Sequence, residues 1–441
     1  MPIKPASLAI CAKWIIPVFP KKTCLKDYAI VIDQDEIIDL LPQKNLKKIY
    51  APKEINYLSD HLLMPGLINM HTHSPMVLIR GLGQDQNIKN WLTKYIWPAE
   101  QALMCQSFIK DGTQLAVTEM VKNGITTFNE HYFSSEIIYD VVDQYKMRAT
   151  VGKLIINMSS KSLDKLNTNF DDVPHWLSRK HPLISTSLAA HSEYMLTDQQ
   201  LKDIARQGQK FSSFIHIHCM EGIDERNNCL AKHQKTPINR LLDTNLITPR
   251  TQLVHMVDVN DQEWDQLAEI KPQIITCPLS NHILGSGQAN IIKPINRGLN
   301  VCIGTDSAAS NNCLDLLQET RFALLCAKGV NQDPTCLSCW DGLDMMTINA
   351  AKALGLDEEV GTLEIGKQAD LIAVNLNNLN TYPRHDPLAQ WMFAGSSEQV
   401  THAWVAGRCL LNQRKIMLWS EEELEEKAKQ WEEKTKPFYT S

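Results

Sequence analysis

The sequence contains no apolar run that approaches the roughly 18–20 residues needed to span a membrane. It also lacks an excess of either charge, because 44 Lys and Arg residues stand against 50 Asp and Glu residues, for a net charge of -6. This balance does not indicate a basic surface that would bind nucleic acid. The first residues show no apolar stretch followed by a cleavage site, as a secretory signal would. We therefore expect a cytoplasmic protein whose partners include neither a membrane nor a nucleic acid.

Regular cysteine spacing is also absent. Twelve Cys residues are scattered along the 441 positions. Cys336 and Cys339 form a C-x2-C pair, but the sequence has no second pair of this kind. A zinc knuckle is therefore not expected, and reduced thiols fit the cytosol.

Between about residues 65 and 360, short apolar runs alternate with segments of helical periodicity such as 111–123 and 261–271. Eight such units are typical of a closed (β/α)8 barrel, whose catalytic groups stand at the carboxyl ends of the strands. The apolar runs lie near residues 67–73, 124–130, 149–157, 183–191, 213–218, 251–256, 272–277 and 300–306.

Both ends of the chain show the pattern of short β-strands. Residues 29–41 indicate a hairpin, and residues 369–374 and 400–411 indicate further strands. Neither end holds enough apolar residues for a core of its own. We therefore predict an α/β chain in which a metal-binding (β/α)8 TIM-type barrel, residues 65–361, is inserted in a small β-sandwich domain. The sandwich would combine residues 1–64 with residues 362–441, and the charged stretch 420–434 would form a solvated helix.

The first predicted barrel strand ends in His71 and His73. The strand period of two places both imidazoles on one face, which is half of a transition-metal site. A His-x-His alone is weak evidence, because a core or surface pair arises easily by chance. Three further candidates stand where later apolar runs end, namely His218, His255 and Asp306.

Imidazoles with a carboxylate form a ligand set suited to zinc, with Fe2+ as an alternative. A coordinated water would complete the shell of such an ion. A second metal would need a bridging ligand, often a carboxylated lysine at the end of strand 4. That strand ends in Ala189-Ala190-His191 and offers no lysine. One divalent metal per subunit is therefore predicted.

Four segments, taken in order, resemble the metal-dependent amidohydrolase superfamily: MPGLINMHTH at 64–73, HCME at 218–221, GTD at 304–306 and GTLEIGKQADL at 361–371. More narrowly, the chain is similar to the 5-methylthioadenosine/S-adenosylhomocysteine deaminases. This closer resemblance rests on Trp91, WPAE at 97–100, AHSEY at 190–194 and TDSAASNN at 305–312. It implies a zinc enzyme that hydrolyses the adenine 6-amino group of 5'-methylthioadenosine, S-adenosylhomocysteine or adenosine to ammonia and the inosine analogue. It also implies a homo-oligomer.

The resemblance carries roles for the reacting groups. Glu221 would protonate the purine ring nitrogen beside the attacked carbon and then help to deliver a proton to ammonia. Asp306 would take the proton from the attacking water and contact the substrate, and His255 would orient or polarise the hydroxide. The metal ligands would be His71, His73, His218 and Asp306.

The resemblance also implies two nucleoside-binding residues. Glu100 would hold the ribose hydroxyls, and His191 would hydrogen-bond the nucleoside. Elementary chemistry agrees with this division of roles. Hydroxide attack on an aromatic carbon builds negative charge on the ring and needs a positioned acid, and a diol is well met by a carboxylate acceptor.

Plain structural roles compete with several assignments. Glu221 could cap a helix, His255 could be a satisfied core histidine, and Glu100 and His191 could be ordinary helix-end or loop residues. His216 also forms a His-x-His with His218, but the superfamily places the ligand three residues before the glutamate. We therefore expect His216 to be a core or supporting histidine.

The sequence departs from the pattern of the narrower family on and after strand 3. Some relatives hold the homocysteine carboxylate there with arginines, whereas this chain has Arg148 and Lys153. A lysine is a point charge rather than a bidentate fork, so methylthioadenosine is favoured over S-adenosylhomocysteine.

Two other functions stay open from the sequence. The chain could hydrolyse another N-heterocycle, as a guanine deaminase or s-triazine hydrolase does, or it could be a non-catalytic barrel scaffold. Glu100 and His191 favour a nucleoside, and a complete ligand set with Glu221 argues against a scaffold.

Overall fold

The computed structural model describes residues 3–157 and 170–439. Its strands, in chain order, are β1 (Lys4–Ile15), β2 (Leu25–Asp33), β3 (Glu36–Pro42), β4 (Tyr50–Pro65), β5 (Leu67–Thr72), β6 (Ile125–Glu130), β7 (Arg148–Ile155), β8 (Ile184–Ser192), β9 (Ile215–Cys219), β10 (Thr251–His255), β11 (Gln273–Thr276), β12 (Val301–Ile303), β13 (Leu371–Asn375), β14 (Val400–Val405), β15 (Arg408–Asn412) and β16 (Lys415–Ile416).

The α-helices are α1 (Leu46–Ile49), α2 (Ile88–Asn90), α3 (Trp97–Leu103), α4 (Gln106–Lys122), α5 (Ser135–Gln144), α6 (Val173–Leu177), α7 (Asp198–Phe211), α8 (Ile223–His233), α9 (Pro237–Asp243), α10 (Asp261–Ile270), α11 (Pro278–Ile283), α12 (Ile292–Asn296), α13 (Ala308–Asn311), α14 (Leu316–Asn331), α15 (Cys339–Met345), α16 (Ile348–Leu354), α17 (Pro387–Ala394) and α18 (Glu421–Tyr439). A 3-10 segment, Ser74–Ile79, follows β5, and a π-helical segment, Trp91–Ile96, precedes α3.

Strands β5 to β12 form the predicted parallel barrel. Each pairs in parallel with the next strand along the chain, so the sheet order follows the sequence. The first and last strands approach each other closely at Gly304, where a Cβ atom would lie only 2.7 Å from the backbone nitrogen of His71. All eight predicted runs coincide with barrel strands, and the predicted fold class is confirmed.

Strands from both ends of the chain form a second, mixed sheet, in the order β16-β15-β14-β13-β4-β1-β2-β3. The two ends meet at β4, which pairs in parallel with β1 and antiparallel with β13. Apolar side chains from both ends, among them Ile10, Leu63, Leu371 and Trp404, share one buried cluster. This confirms the predicted β domain, while its limits at residues 64 and 362 stay predictions.

A buried ion pair joins the β domain to the end of the barrel where the strands begin. Arg148, the first residue of β7, donates from Nε to the Asp370 carboxylate at 2.7 Å, and both side chains are 2% exposed. Arg148 also donates to the Gln368 amide oxygen. The Arg148 guanidinium thus bonds to the β domain at the amino end of its strand, and its role is to hold the two domains together.

The terminal helix is where predicted and its Glu and Lys residues form a solvated face, but the helix also buries apolar side chains that the prediction did not include. In α18, Leu424 and Trp431 are each 4% exposed. The Trp431 indole donates to Asp111 on α4 at 3.0 Å, and its ring packs edge-on against Phe108. The high density of Glu and Lys hides a narrow apolar stripe that docks on the barrel helices.

Every helix in the two described ranges is too short or too polar to pass through a membrane.

Candidate metal centre and active site

Four side-chain atoms from three barrel strands converge at the carboxyl end of the barrel. The His218 Nε2 atom lies 3.2 Å from His71 Nε2 and 3.3 Å from His73 Nε2. Asp306 Oδ1 lies 3.4 Å and 3.3 Å from the same two nitrogens. Zinc bonds of about 2.0–2.1 Å in a tetrahedron separate the ligand atoms by about 3.3 Å. The spacing of these four atoms therefore fits one zinc ion.

Each imidazole in this group is oriented by its other nitrogen. His73 Nδ1 donates to the carbonyl of His131, and His218 Nδ1 donates to the carbonyl of His191 at 2.6 Å. A carbonyl accepts only, so these Nδ1 atoms carry the protons. The Nε2 lone pairs of His73 and His218 then point at the common centre, as metal ligation requires.

His71 is oriented by His216, which lies behind it in the barrel core. Gln252 donates from Nε2 to the carbonyl of Ala353 at 2.7 Å, so its Oε1 atom accepts from His216 Nδ1 at 2.8 Å. The Nε2 atom of His216 is then left to accept from His71 Nδ1, at 2.7 Å. His216 is therefore placed to support a ligand, as the sequence predicted.

Burial lowers the pKa of His71 to about 4 and that of His218 well below the ordinary value, and neighbouring histidines act in the same direction. At His73, burial is outweighed by the Asp306 carboxylate, which raises the pKa of that imidazole. A neutral imidazole is the form that binds a cation.

The backbone turns sharply at Asp306 and at His255, which stand at the carboxyl ends of two barrel strands. Asp306 and His255 have φ values of 61° and 78°, in the left-handed region that residues with a Cβ atom rarely adopt. Asp306 accepts from Ser280 Oγ at 2.6 Å and from the Ser307 amide at 2.7 Å. Both carboxylate oxygens of Asp306 are thus fixed.

Glu221 lies beside this centre in the loop after β9. Burial and then the Asp306 carboxylate raise the pKa of Glu221 to about 8, which favours the protonated form of the carboxyl group. The N-cap of α8 is Gly222, and no side chain caps this helix. The competing role of Glu221 as a helix cap is therefore excluded.

His255 faces Glu221 across the cleft, with His255 Nε2 at 3.9 Å from Glu221 Oε2. Its Nδ1 atom donates to Asn281 Oδ1 at 2.9 Å. The Nε2 atom is thereby left as an acceptor that points toward the reacting groups.

The same cleft is also lined by Glu100 and His191. Tyr132 donates its hydroxyl to Glu100 Oε1 at 2.6 Å, and burial raises the pKa of Glu100 to about 7. His191, on β8, contacts Ser192 Oγ through Nδ1 at 3.0 Å. Trp91 also lines the cleft and donates its indole N–H to Leu82.

The structure brings every predicted site residue to this one cleft or directly behind it, and their chemical roles stay predictions. Sequence reasoning missed His131 and Tyr132, which follow β6, and Ser280 and Asn281, which follow β11. The rule that found the other residues, polar groups at the ends of apolar runs, would also have found these four.

Lys153 does not reach the cleft. It is 1% exposed, and its ammonium pairs with Glu136 on α5 at 2.5 Å. None of the described residues that line the cleft is a lysine or an arginine.

The comparisons with known proteins agree with this geometry. The family model described as Amidohydrolase family matches residues 62–410. A 5-methylthioadenosine/S-adenosylhomocysteine deaminase of Teredinibacter turnerae is 36% identical over 433 residues, which cover 96% of each chain. The crystal structure of an adenosine deaminase from Xanthomonas campestris with bound zinc is 34% identical. It covers 99% of this chain and 100% of that chain, with a TM-score of 0.96.

An atrazine chlorohydrolase from Arthrobacter aurescens, complexed with zinc, has a TM-score of 0.86 at 20% identity and covers 96% of this chain and 99% of that chain. At that identity, the likeness concerns the fold alone.

Proposed function

This chain belongs to the amidohydrolase family and, within it, to the 5-methylthioadenosine/S-adenosylhomocysteine deaminases, and from that membership we infer its reaction. It is a zinc-dependent aminohydrolase that removes the 6-amino group of an adenine nucleoside as ammonia. The observation that carries this function is the position of the protonated Glu221 carboxyl group beside a tetrahedral set of three imidazoles and Asp306.

We assign zinc to the Nε2 atoms of His71, His73 and His218 and to Asp306 Oδ1. When bound there, zinc supplies a positive charge and an activated water at the attacked carbon.

The acid and base of the reaction come from two carboxyl groups with opposite protonation states. Asp306 would accept the proton of the attacking water, and Ser280 and the Ser307 amide hold its carboxylate still. Glu221 starts protonated and gives its proton to the purine N1 atom, which offsets the negative charge that the attack builds on the ring. The Glu221 carboxylate would then take the remaining proton of the added hydroxyl group and deliver it to the amino group, so that the C6–N bond breaks, ammonia leaves and N1 keeps its proton in the product. The proton held by Asp306 would then restore Glu221.

His255 would orient the attacking oxygen through Nε2, because Asn281 fixes its ring from the other side. Glu100 would receive the ribose diol on the carboxylate oxygen that Tyr132 leaves free. His191 would complete the binding of the nucleoside in the same cleft.

Within this class, we propose methylthioadenosine as the preferred substrate over S-adenosylhomocysteine. Arg148 and Lys153 are held in ion pairs away from the cleft, and the described residues that line it include no cation for a homocysteine carboxylate. No specific observation favours guanine or a triazine as the substrate.

An ammonia-release assay tests this function. It would compare methylthioadenosine, S-adenosylhomocysteine, adenosine, guanine and a triazine on one preparation whose metal content is measured. We expect about one zinc per chain and the highest kcat/KM with methylthioadenosine. Turnover of guanine or triazine alone, or a preparation that binds no metal and releases no ammonia, would contradict the proposal.

We also propose a homo-oligomer in the cytoplasm. The twelve cysteines, all within the described ranges, are free thiols, as expected in a reducing compartment. Light scattering coupled to size exclusion would test the oligomeric state.

A further inference from the structure

Glu225 is a buried carboxyl group beside the active site that the reaction described above does not use. It lies in the first turn of α8, four residues after Glu221. Its two carboxyl oxygens accept from two consecutive backbone amides, that of Met220 at 2.9 Å and that of Glu221 at 2.8 Å. Glu225 therefore holds the backbone at and before the residue that we assign as the general acid.

The Glu221 side chain has no comparable support of its own. Within residues 3–157 and 170–439, no group hydrogen-bonds its carboxyl oxygens, and His255 Nε2 lies 3.9 Å from Glu221 Oε2. The position of this carboxyl group therefore depends on the backbone that carries it.

That backbone has an unusual conformation at Met220. The φ value of Met220 is 55°, in the left-handed region that residues with a Cβ atom rarely adopt. Such a residue persists only where its surroundings hold it. Here the Met220 amide donates to Glu225, and the Met220 carbonyl accepts from the Val257 amide at 2.8 Å. Because the turn at Met220 leads from His218 to Glu221, its conformation sets where the Glu221 side chain begins.

The hydrogen bonds of Glu225 differ from those of an ordinary helix cap. The N-cap of α8 is Gly222, so Glu225 is the third helical residue. A glutamate at that position commonly accepts from the amide of the N-cap residue, as Glu263 in α10 does from Asn260 at 3.0 Å. Glu225 instead reaches past Gly222 to the two residues before it. Its hydrogen bonds therefore hold the loop that carries Glu221.

We propose that Glu225 is a positioning residue, which holds the amides of Met220 and Glu221 and thereby places the Glu221 carboxyl group where it can protonate the substrate. The inference rests on the proposed function, because it takes Glu221 as the acid. Proton transfer needs a donor within hydrogen-bond reach of its acceptor, so an acid that is less well placed lowers kcat. Binding of the substrate and of zinc should not change.

The first test replaces Glu225 by residues that keep fewer of the two hydrogen bonds. Glu225→Gln has the same shape and keeps one accepting oxygen, whereas Glu225→Ala keeps none. With methylthioadenosine, we expect kcat to fall by about 10-fold in Glu225→Gln and by about 100-fold in Glu225→Ala. KM and zinc content should stay at the wild-type values in both variants.

The matched control is Asp224→Asn. Asp224 is the exposed acidic residue next to Glu225 in the first turn of α8. Its replacement removes one negative charge from the same helix end but leaves both amide contacts of Glu225 in place. We expect its kcat to match that of the wild type.

A double-mutant cycle with Glu221→Gln separates positioning from a general loss of structure. Adding Glu225→Gln to Glu221→Gln should lower kcat by less than about twofold, because no acid remains to be placed. Since Glu225→Gln changes neither the size nor the shape of the side chain, the cycle can be measured even if Glu225→Ala fails to fold.

Equal factors of loss in the wild-type and Glu221→Gln backgrounds would overturn the proposal, because Glu225 would then act only on the stability of the helix and its loop. A rise in KM with kcat unchanged, or a loss of zinc from Glu225→Gln, would overturn it as well. Failure of the proposed function is a different result, in which the wild-type enzyme releases no ammonia from any nucleoside.

Discussion

The two ends of the cleft are built differently. At the reacting end, three polar side chains are each fixed by a second group behind them: His71 by His216, His255 by Asn281, and Asp306 by Ser280. At the binding end, Tyr132 alone among the described residues holds Glu100, and His191 contacts only the neighbouring Ser192 through Nδ1. Proton transfer and metal ligation require positions held within a fraction of an ångström, whereas recognition of a nucleoside is completed by the ligand.

The largest expected effect comes from removing a ligand at the reacting end. His218→Ala should lose zinc and activity together, with turnover lower by at least about 10^4-fold, because the attacking water is no longer activated. Metal analysis and ammonia release on the same sample measure both quantities. The exposed His385→Ala variant is the control. Full zinc occupancy in His218→Ala would instead make His216 the ligand.

Glu221→Gln should separate the proton transfer from the metal site. We expect zinc content to stay at the wild-type level while kcat falls by about 10^2–10^4-fold, because only the general acid is lost. Steady-state kinetics and metal analysis would show this difference. Near-normal turnover would mean that the acid is another residue.

The pH profile checks the same residue without a change of fold. Burial and Asp306 raise the pKa of Glu221 from 4.5 to about 8, so the protonated, active acid is present at low pH and is lost as pH rises. The positive charge of bound zinc acts in the opposite direction, so the alkaline limb of kcat should lie between these values. Glu221→Gln should abolish this limb, and a limb that persists in the variant would belong to another group.

At the binding end, Glu100→Gln should change affinity more than chemistry. We expect KM for a ribonucleoside to rise by about 10–100-fold with little change in kcat, because a charge-assisted hydrogen bond to the diol is weakened. Kinetics on methylthioadenosine measure the change, and zinc content is the internal control. A fall in kcat with KM unchanged would place Glu100 at the reacting end.

The smallest effect on activity is expected from the terminal helix. Its residue Trp431 packs on α4, and α18 also contacts α3, which carries Glu100. Trp431→Ala should cost about 3–5 kcal/mol of stability and raise KM modestly, with zinc content unchanged. Thermal unfolding and kinetics test this, with the exposed Lys429→Ala on the same helix as the control. Loss of zinc in Trp431→Ala would show that the binding end and the reacting end of the cleft are coupled.

The barrel could be predicted because its signal is local. A buried parallel strand is a short apolar run, and a polar residue at its end is visible in the sequence, as with His71, His218 and Asp306. Glu221 could also be predicted, because the resemblance places it three residues after His218 in the sequence. The terminal helix is only half predictable, because its high charge density masks the apolar stripe of Leu424 and Trp431.

The sequence by itself determined the eight strands, the pairing of both chain ends into one β domain, and the residue types that could bind a metal. The resemblance already favoured His218 over His216 as the ligand, but only the tertiary structure supplied the physical reason. His216 and His218 alternate on one strand and face the same side of it, and they differ in the partners that other strands bring to them. Tautomer, direction and protonation depend on such partners, and residues far apart in the chain supply them.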